Sequence, residues 1–150
     1  MASYSEYPAL VSLGRDGRYR ITFRDLGGAG AEGLTLEEAM RGVRTSIIGA
    51  MKGYLARGSL VPAPSPRLPG EEMVRLPVSL EAKVILANHM LEEGVSPSEL
   101  AREMGVRPQE VTRLLDLRHA TKIDILERAM ESLGMKYVLR AAPLGEGGTR

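Results

Sequence analysis

The stretch SPSELAREMGVRPQEVTRLL, residues Ser96–Leu115, carries the start and stop signals of two short helices on either side of one glycine. Ser96 is suited to cap the first helix, since proline follows at the first helical position and Glu99 at the third. Gly105 can adopt the positive φ that ends a helix, and Pro108 suits the first turn of the next one. The stretch therefore predicts two helices joined by a tight turn.

The residues that would pack this corner match a helix-turn-helix. That motif needs a small residue within the first helix, glycine in the turn and aliphatic residues on the inner face of the second helix. The residues at those places are Ala101, Gly105, Val106, Val111 and Leu114. A helical hairpin that only packs, with solvated charges outside, is the alternative interpretation.

The outward positions of the second helix carry side chains that can contact bases and phosphates. They are Arg107, Gln109, Thr112 and Arg113, followed by Asp116. From Arg107 to Lys122 there are four basic residues against two acidic ones, with His119 as a further donor. This modest excess predicts weak DNA binding by one copy of the domain.

Upstream, the first residues alternate between apolar and polar. Tyr7 to Leu13 and Tyr19 to Phe23 show the period of strands, and GRDG (Gly14 to Gly17) forms a turn between them. This predicts a β-hairpin with one buried face.

A helix is predicted after the hairpin. TLEE (Thr35 to Glu38) is a capping box, and an apolar stripe at helical spacing continues to about Arg57, before Gly58. The next stretch, VPAPSPRLPG (Val61 to Gly70), holds four prolines and favours an extended connector. MVRLP (Met73 to Pro77) can add one more strand to the first sheet.

From Ser79 the apolar spacing becomes helical and predicts four short amphipathic helices that share one core. KYVLRAA (Lys136 to Ala142) returns to a strand-like pattern, and such an edge strand can pair with a symmetry mate. The expected fold class is α+β. A domain of residues 1–78 precedes an all-helical domain of residues 79–150 that ends in a short strand.

Composition excludes several classes of protein. The 150 residues contain no cysteine, so disulfides and thiolate metal sites are absent, which suits the cytoplasm. Lys+Arg 20 against Asp+Glu 19 gives a net charge of +1, far from that of a protein that coats nucleic acid. Long apolar runs and a secretory leader are missing, so we expect no membrane association.

Several signals for enzyme chemistry are weak. GAGAEG (Gly28 to Gly33) matches a dinucleotide fingerprint, yet no acidic residue lies between Glu38 and Glu71 to hold a ribose. His89 and His119 have no carboxylates at ligand spacing. Asp16, Asp25 and Glu32 form no enclosed two-metal site. We therefore expect no catalytic residue, no metal and no cofactor.

Taken together, the hairpin, the TLEEA helix start, the PSP linker, AKVILAN (Ala82 to Asn88) and QEVTRLLDLRHATKID (Gln109 to Asp124) resemble the HicB antitoxin family. The resemblance extends from about Tyr7 to Val138 and is to the subgroup whose C-terminal domain is a helix-turn-helix. DLGGAGAEG (Asp25 to Gly33) departs from it, because such antitoxins commonly have Asp-x-Pro-Gly there.

The resemblance implies a partial RNase H-like N-terminal domain that binds a small, mRNA-cleaving HicA-like toxin through residues that stay unknown. It implies that the C-terminal domain binds operator DNA in the protein's own promoter. We expect a homodimer or tetramer, because two recognition helices must reach successive major grooves about 34 Å apart. The resemblance assigns DNA reading to Arg107, Gln109, Thr112 and Arg113, and DNA backbone contacts to Arg118, His119 and Lys122. A stand-alone transcriptional repressor, whose N-terminal domain oligomerises or senses a ligand, is the alternative.

Overall fold

The computed structural model describes residues 3–145 and has an α+β fold, as expected. Four strands and six helices follow one another in the order β1 (Glu6–Leu13), β2 (Tyr19–Thr22), β3 (Gly30–Gly33), α1 (Leu36–Arg41), α2 (Val43–Ala56), β4 (Glu71–Arg75), α3 (Val78–Glu93), α4 (Pro97–Met104), α5 (Pro108–Leu115) and α6 (Ile123–Ser132).

The strands form one antiparallel sheet in the order β3-β2-β1-β4. In the hairpin Val11 lies opposite Ile21, and on the other side of β1 Pro8 lies opposite Met73. The predicted hairpin and the predicted extra strand are thus both confirmed. The sequence did not indicate β3, because its Gly and Ala residues have little strand propensity and only pairing with β2 makes them extended.

The predicted helix from Thr35 to about Arg57 is interrupted at Gly42, which separates α1 from α2. The Thr35 side chain accepts a hydrogen bond from the Glu38 N–H at 3.1 Å, as the capping box predicts. The Glu38 carboxylate accepts from the N–H of Leu34, which precedes the cap, at 2.7 Å. The Gly42 N–H bonds to the Ala39 carbonyl three residues back, and this tighter turn ends α1.

Two hydrophobic cores are present, and α3 contributes to both. The first lies between the sheet and α2 and includes Leu80 and Val84 of α3. The second lies among α4, α5 and α6 and includes Leu86 and Met90. We call β1 to β4 with α1 and α2 the sheet unit, and α4 to α6 the helical unit. Since α3 places opposite faces in the two cores, it joins the units directly.

The proline-rich connector is held against the sheet unit by polar side chains. Buried Asn88 of α3 accepts from the Val61 N–H at 2.9 Å and donates to the Val61 carbonyl at 3.0 Å. The Tyr7 hydroxyl donates to the Pro62 carbonyl at 2.7 Å, and burial raises the pKa of this hydroxyl. Asp25 accepts from both the N–H and the hydroxyl of Ser65. The connector therefore has a fixed path back to β4.

The predicted C-terminal strand at Lys136 to Ala142 is not formed in the single chain. No strand is assigned there, and within residues 3–145 all strands belong to the sheet unit. Tyr137 packs against the second core and donates to the Ala82 carbonyl at 2.6 Å, whereas Val138 and Leu139 are 82% and 74% exposed. A strand needs a hydrogen-bonded neighbour, and the single chain offers none at this place.

Neither a membrane span nor a metal site is indicated in the part of the chain that the structure describes. None of its helices combines the length and apolarity that a bilayer crossing requires. None of its His, Asp and Glu residues forms a group of three or more that could hold a metal ion.

Candidate nucleic-acid interface

The corner from Ser96 to Leu115 folds as its capping signals predict. The Ser96 hydroxyl accepts a hydrogen bond from the Glu99 N–H at 3.1 Å at the start of α4. Gly105 ends α4 in the left-handed conformation with φ 68°, and the Val106 N–H then reaches back to the Ala101 carbonyl at 3.0 Å. Residues 105–107 thus form a tight turn, and Pro108 occupies the first turn of α5.

The inner face of the corner is fully apolar. Leu100 and Ala101 of α4 are buried together with Val111 and Leu114 of α5. All four belong to the second core, where Leu126, Ala129 and Met130 of α6 complete the packing. The angle between α4 and α5 is therefore set by interlocking side chains as well as by the turn.

The outer face of α5 carries the residues that the sequence predicts to read DNA. Gln109, Thr112, Arg113 and Asp116 follow the spacing i, i+3, i+4, i+7 and share one side of the helix. Arg107 precedes α5 as its N-cap residue, and all five residues are exposed. The Thr112 hydroxyl donates to the Pro108 carbonyl at 3.2 Å, so its oxygen can still accept a bond.

The residues predicted to meet the DNA backbone lie in the segment between α5 and α6. Arg118 and His119 are exposed there, and Lys122 is exposed at the N-cap of α6. The Asp116 carboxylate accepts from the Arg118 N–H at 3.0 Å and shapes the turn. Leu117, between them, is only 6% exposed and packs into the core of the sheet unit.

The predicted interface has polar side chains that are not used inside the molecule. Within residues 3–145, the structure shows no hydrogen bond or ion pair made by these side chains: Arg107, Gln109, Arg113, Arg118, His119 and Lys122. The outer face of α5 and the segment between α5 and α6 thus present cationic side chains and one amide to solvent, while packing fixes the backbone of both. A surface of this kind can bind phosphates and base edges without first breaking internal contacts.

Lys83 of α3 is a further residue of this region, which the sequence interpretation missed. It is 2% exposed, and its ammonium donates to the carbonyls of Arg113 at 3.2 Å, Asp116 at 2.8 Å and His119 at 2.5 Å. Burial lowers the pKa of Lys83, and the Asp116 charge partly opposes this shift. The available signal was a single lysine within the otherwise apolar run AKVILA, Ala82 to Ala87.

The weaker signals of the sequence have structural explanations. Asp16 and Glu32 both pair with Arg20, at 2.7 Å and 3.3 Å, while Asp25 binds Ser65. The last four residues of the GAGAEG stretch are the antiparallel strand β3, not a phosphate-binding turn. At Gly33 a Cβ atom would lie 2.7 Å from the Ala39 N atom, so this glycine allows α1 to approach the sheet.

A family model described as HicB_like antitoxin of bacterial toxin-antitoxin system matches residues 6–85, which include the whole sheet unit and the first half of α3.

Curated relatives extend the similarity into the helical unit. Antitoxin HicB of Escherichia coli (strain K12) is 35% identical over 133 residues, 89% of this chain and 96% of the relative. Antitoxin HicB 2 of Photorhabdus laumondii is 37% identical over 141 residues, 94% of this chain and 99% of the relative. Antitoxin HicB of Pseudomonas fluorescens is 40% identical over 110 residues, 73% and 75% of the two chains.

Proposed function

This chain belongs to the HicB-like antitoxin family of bacterial toxin-antitoxin systems, and we propose that it has two activities. It neutralises a HicA-like mRNA-cleaving toxin by direct, stoichiometric binding, and it represses its own operon by binding operator DNA in the promoter. The protein acts as a binding partner in the cytoplasm, without catalytic residues, metal or cofactor of its own.

The observation that carries the DNA half of this proposal is the exposed face of α5 and the segment after it. Gln109, Thr112 and Arg113 lie on the exposed side of α5 and Arg107 lies at its start, while the inner side of the helix is packed in the second core. A DNA-binding helix-turn-helix needs this combination, because a rigid second helix must bring three or four side chains to base edges in the major groove. Arg118, His119 and Lys122 contact the phosphates beside it.

We assign toxin binding to residues 1–78, as a partial RNase H-like unit, and DNA binding to residues 79–150. Support for the first assignment is the family match at residues 6–85, which covers the whole sheet unit. In the sheet unit the carboxylates of Asp16, Asp25 and Glu71 bind neighbouring side chains, which supports a binding role over a nuclease centre at these residues. The toxin contacts themselves are not assigned.

The small excess of positive charge in the proposed DNA-binding segment supports an assembly of two or more copies of the chain. Four basic residues against two acidic ones between Arg107 and Lys122 are few for high affinity in one copy. A homodimer or tetramer would place two recognition helices about 34 Å apart, in successive major grooves. Toxin level could then tune repression through the ratio of the two proteins.

Co-expression with the adjacent reading frame tests the proposal. If that frame encodes a small basic protein, its expression alone should stop growth and cleave mRNA, and the full-length antitoxin should restore growth. The complex of the two proteins should retard a DNA duplex of the upstream region in a native gel. Residues 1–78 and 79–150, expressed separately, would show whether each half keeps its assigned activity once its folding has been checked by circular dichroism.

Two results would redirect the proposal. Promoter binding without any protein partner in pull-downs would favour a stand-alone repressor. Neutralisation without promoter binding, by a folded full-length protein, would remove the DNA half.

A further inference from the structure

Lys83 is a buried cation whose charge is not balanced by a carboxylate contact. Only Glu71, Lys83 and Asn88 are buried among the polar and charged residues that the structure describes. An ammonium is costly to bury unless each of its three N–H groups finds an acceptor. Lys83 meets this condition with three backbone carbonyls, those of Arg113, Asp116 and His119.

The three acceptors lie at one place in the fold. The Arg113 carbonyl is in the last turn of α5, where a cation is favourable; it accepts one hydrogen bond from the Asp116 N–H at 3.2 Å and a second from Lys83. The Asp116 and His119 carbonyls belong to the connection between α5 and α6. Lys83 of α3 thus caps α5 from outside and fixes the backbone that follows it.

The side chains that belong to this backbone are the ones assigned to DNA. Arg113 is on the reading face, and Arg118 and His119 lie within the fixed segment. Leu117 anchors the same segment in the sheet-unit core. We propose that Lys83 is a positioning residue for DNA binding, which sets the segment from Arg113 to His119 so that α5 and the phosphate contacts engage the operator together. This inference rests on the proposed function.

The chain offers a matched control on the same helix. Asn88 is also buried, and it makes hydrogen bonds to the Val61 N–H, the Val61 carbonyl and the Tyr4 hydroxyl. Five residues after Lys83, it points about 140° away around the helix, toward the sheet unit. Asn88→Leu therefore removes a comparable set of buried bonds without touching the segment from Arg113 to His119.

The experiment compares full-length Lys83→Met and Asn88→Leu with the wild type. Affinity for a labelled duplex of the upstream region is measured by fluorescence anisotropy over a salt series, at a temperature where circular dichroism shows each protein folded. Lys83→Met should weaken binding about tenfold, as the loss of one good contact does. The slope of log affinity against log salt concentration, called the salt slope, should also fall by an amount that corresponds to about one lost phosphate contact or more. Asn88→Leu should keep the wild-type affinity and salt slope.

Chemical rescue separates positioning from a general packing defect. Since the chain has no cysteine, Lys83→Cys creates its only thiol. In the unfolded protein the thiolate displaces bromide from 2-bromoethylamine and gains an aminoethyl group, which restores the length and charge of lysine. 1-Bromopropane adds a propyl group of the same size without charge. After refolding, the aminoethyl form should recover wild-type affinity and salt slope, and the propyl form should not.

Equal affinities and slopes for Lys83→Met and Asn88→Leu, or equal recovery by both alkyl groups, would overturn the inference. If Lys83→Met does not fold, Lys83→Gln is used in its place to test the positioning role. Its neutral amide is shorter and keeps two N–H donors for the three carbonyls. It should bind the duplex more weakly than wild type, and unchanged binding would refute the role. Failure of the wild type itself to bind the duplex would instead refute the proposed DNA function.

Discussion

Arg24 of the sheet unit and Arg113 of the helical unit use their side chains in opposite ways. In the sheet unit, Arg24 donates to both Glu71 carboxylate oxygens and to the Pro66 carbonyl, so a cation that could face solvent holds the connector in place. In the helical unit, Arg113 is exposed and only its backbone is held. A side chain that is hydrogen-bonded inside the protein is not free to bind a ligand. The difference supports the proposed DNA-binding role of the outer face of α5.

The largest effects are expected from substitutions that damage one hydrophobic core at a time. Ile47 and Leu126 are fully buried in the sheet-side and helical cores, and replacing either by Ala should lower the free energy of unfolding by about 2–5 kcal/mol. Because α3 belongs to both cores, each variant should still unfold in a single transition. Urea titrations followed by tyrosine fluorescence, dominated by the sheet unit, and by far-UV circular dichroism should coincide. Separate midpoints would show that the units are independent.

Alanine substitutions of Arg113 and Arg24 should have opposite effects. Arg113→Ala should weaken binding to the promoter duplex by about 1–3 kcal/mol and leave the unfolding midpoint unchanged. Arg24→Ala should do the reverse, because it removes the partner of a buried carboxylate and leaves α5 intact. Anisotropy and thermal melts on both variants check this. A loss of DNA affinity in Arg24→Ala at full folding would contradict the separation of roles.

Two glycines test the same contrast at the level of the backbone. Gly105→Ala should destabilise the protein by about 1–2 kcal/mol, because φ is 68° and a Cβ atom is strained there. Gly49→Ala, within α2 and with open space for a Cβ atom, should stabilise it by about 0.5–1 kcal/mol. Urea unfolding measures both. The same sign for the two variants would show that glycine conformation does not set the corner.

The smallest effect on stability is expected from lowering the pH. Arg24 and the Leu68 N–H hold the pKa of Glu71 below its ordinary value, so the carboxylate stabilises the fold above about pH 4.3. This contribution is lost as the pH falls through the lowered pKa of the folded state. Thermal melts of the wild type should therefore drop more steeply below pH 4.3 than those of Glu71→Gln. Parallel curves would mean that the ion pair adds nothing to folding.

The features that the sequence predicted well are local ones. The Ser96 cap, the Gly105 stop and the hairpin turn each depend on a few neighbouring residues, and the structure has them as expected. The features that it missed depend on partners distant in the chain. β3 exists because β2 pairs with it, and the carbonyls that bind Lys83 lie 30 to 36 positions later in the chain. The expected strand at Lys136 to Ala142 is not formed in the single chain, because strand propensity cannot supply a hydrogen-bonded neighbour.

The place of α3 in both cores also decides how parts of such proteins could be recombined. A chimera joined at residue 78 would give the sheet unit of one parent a foreign α3, and with it foreign side chains at Leu80 and Val84. It would also pair Leu117 of one parent with the sheet of the other. A junction at exposed Gly94 leaves α3 with its sheet, but Lys83 must then cap a foreign backbone. The proposed operator specificity should therefore be transplanted by exchanging outward side chains of α5, not by exchanging whole segments.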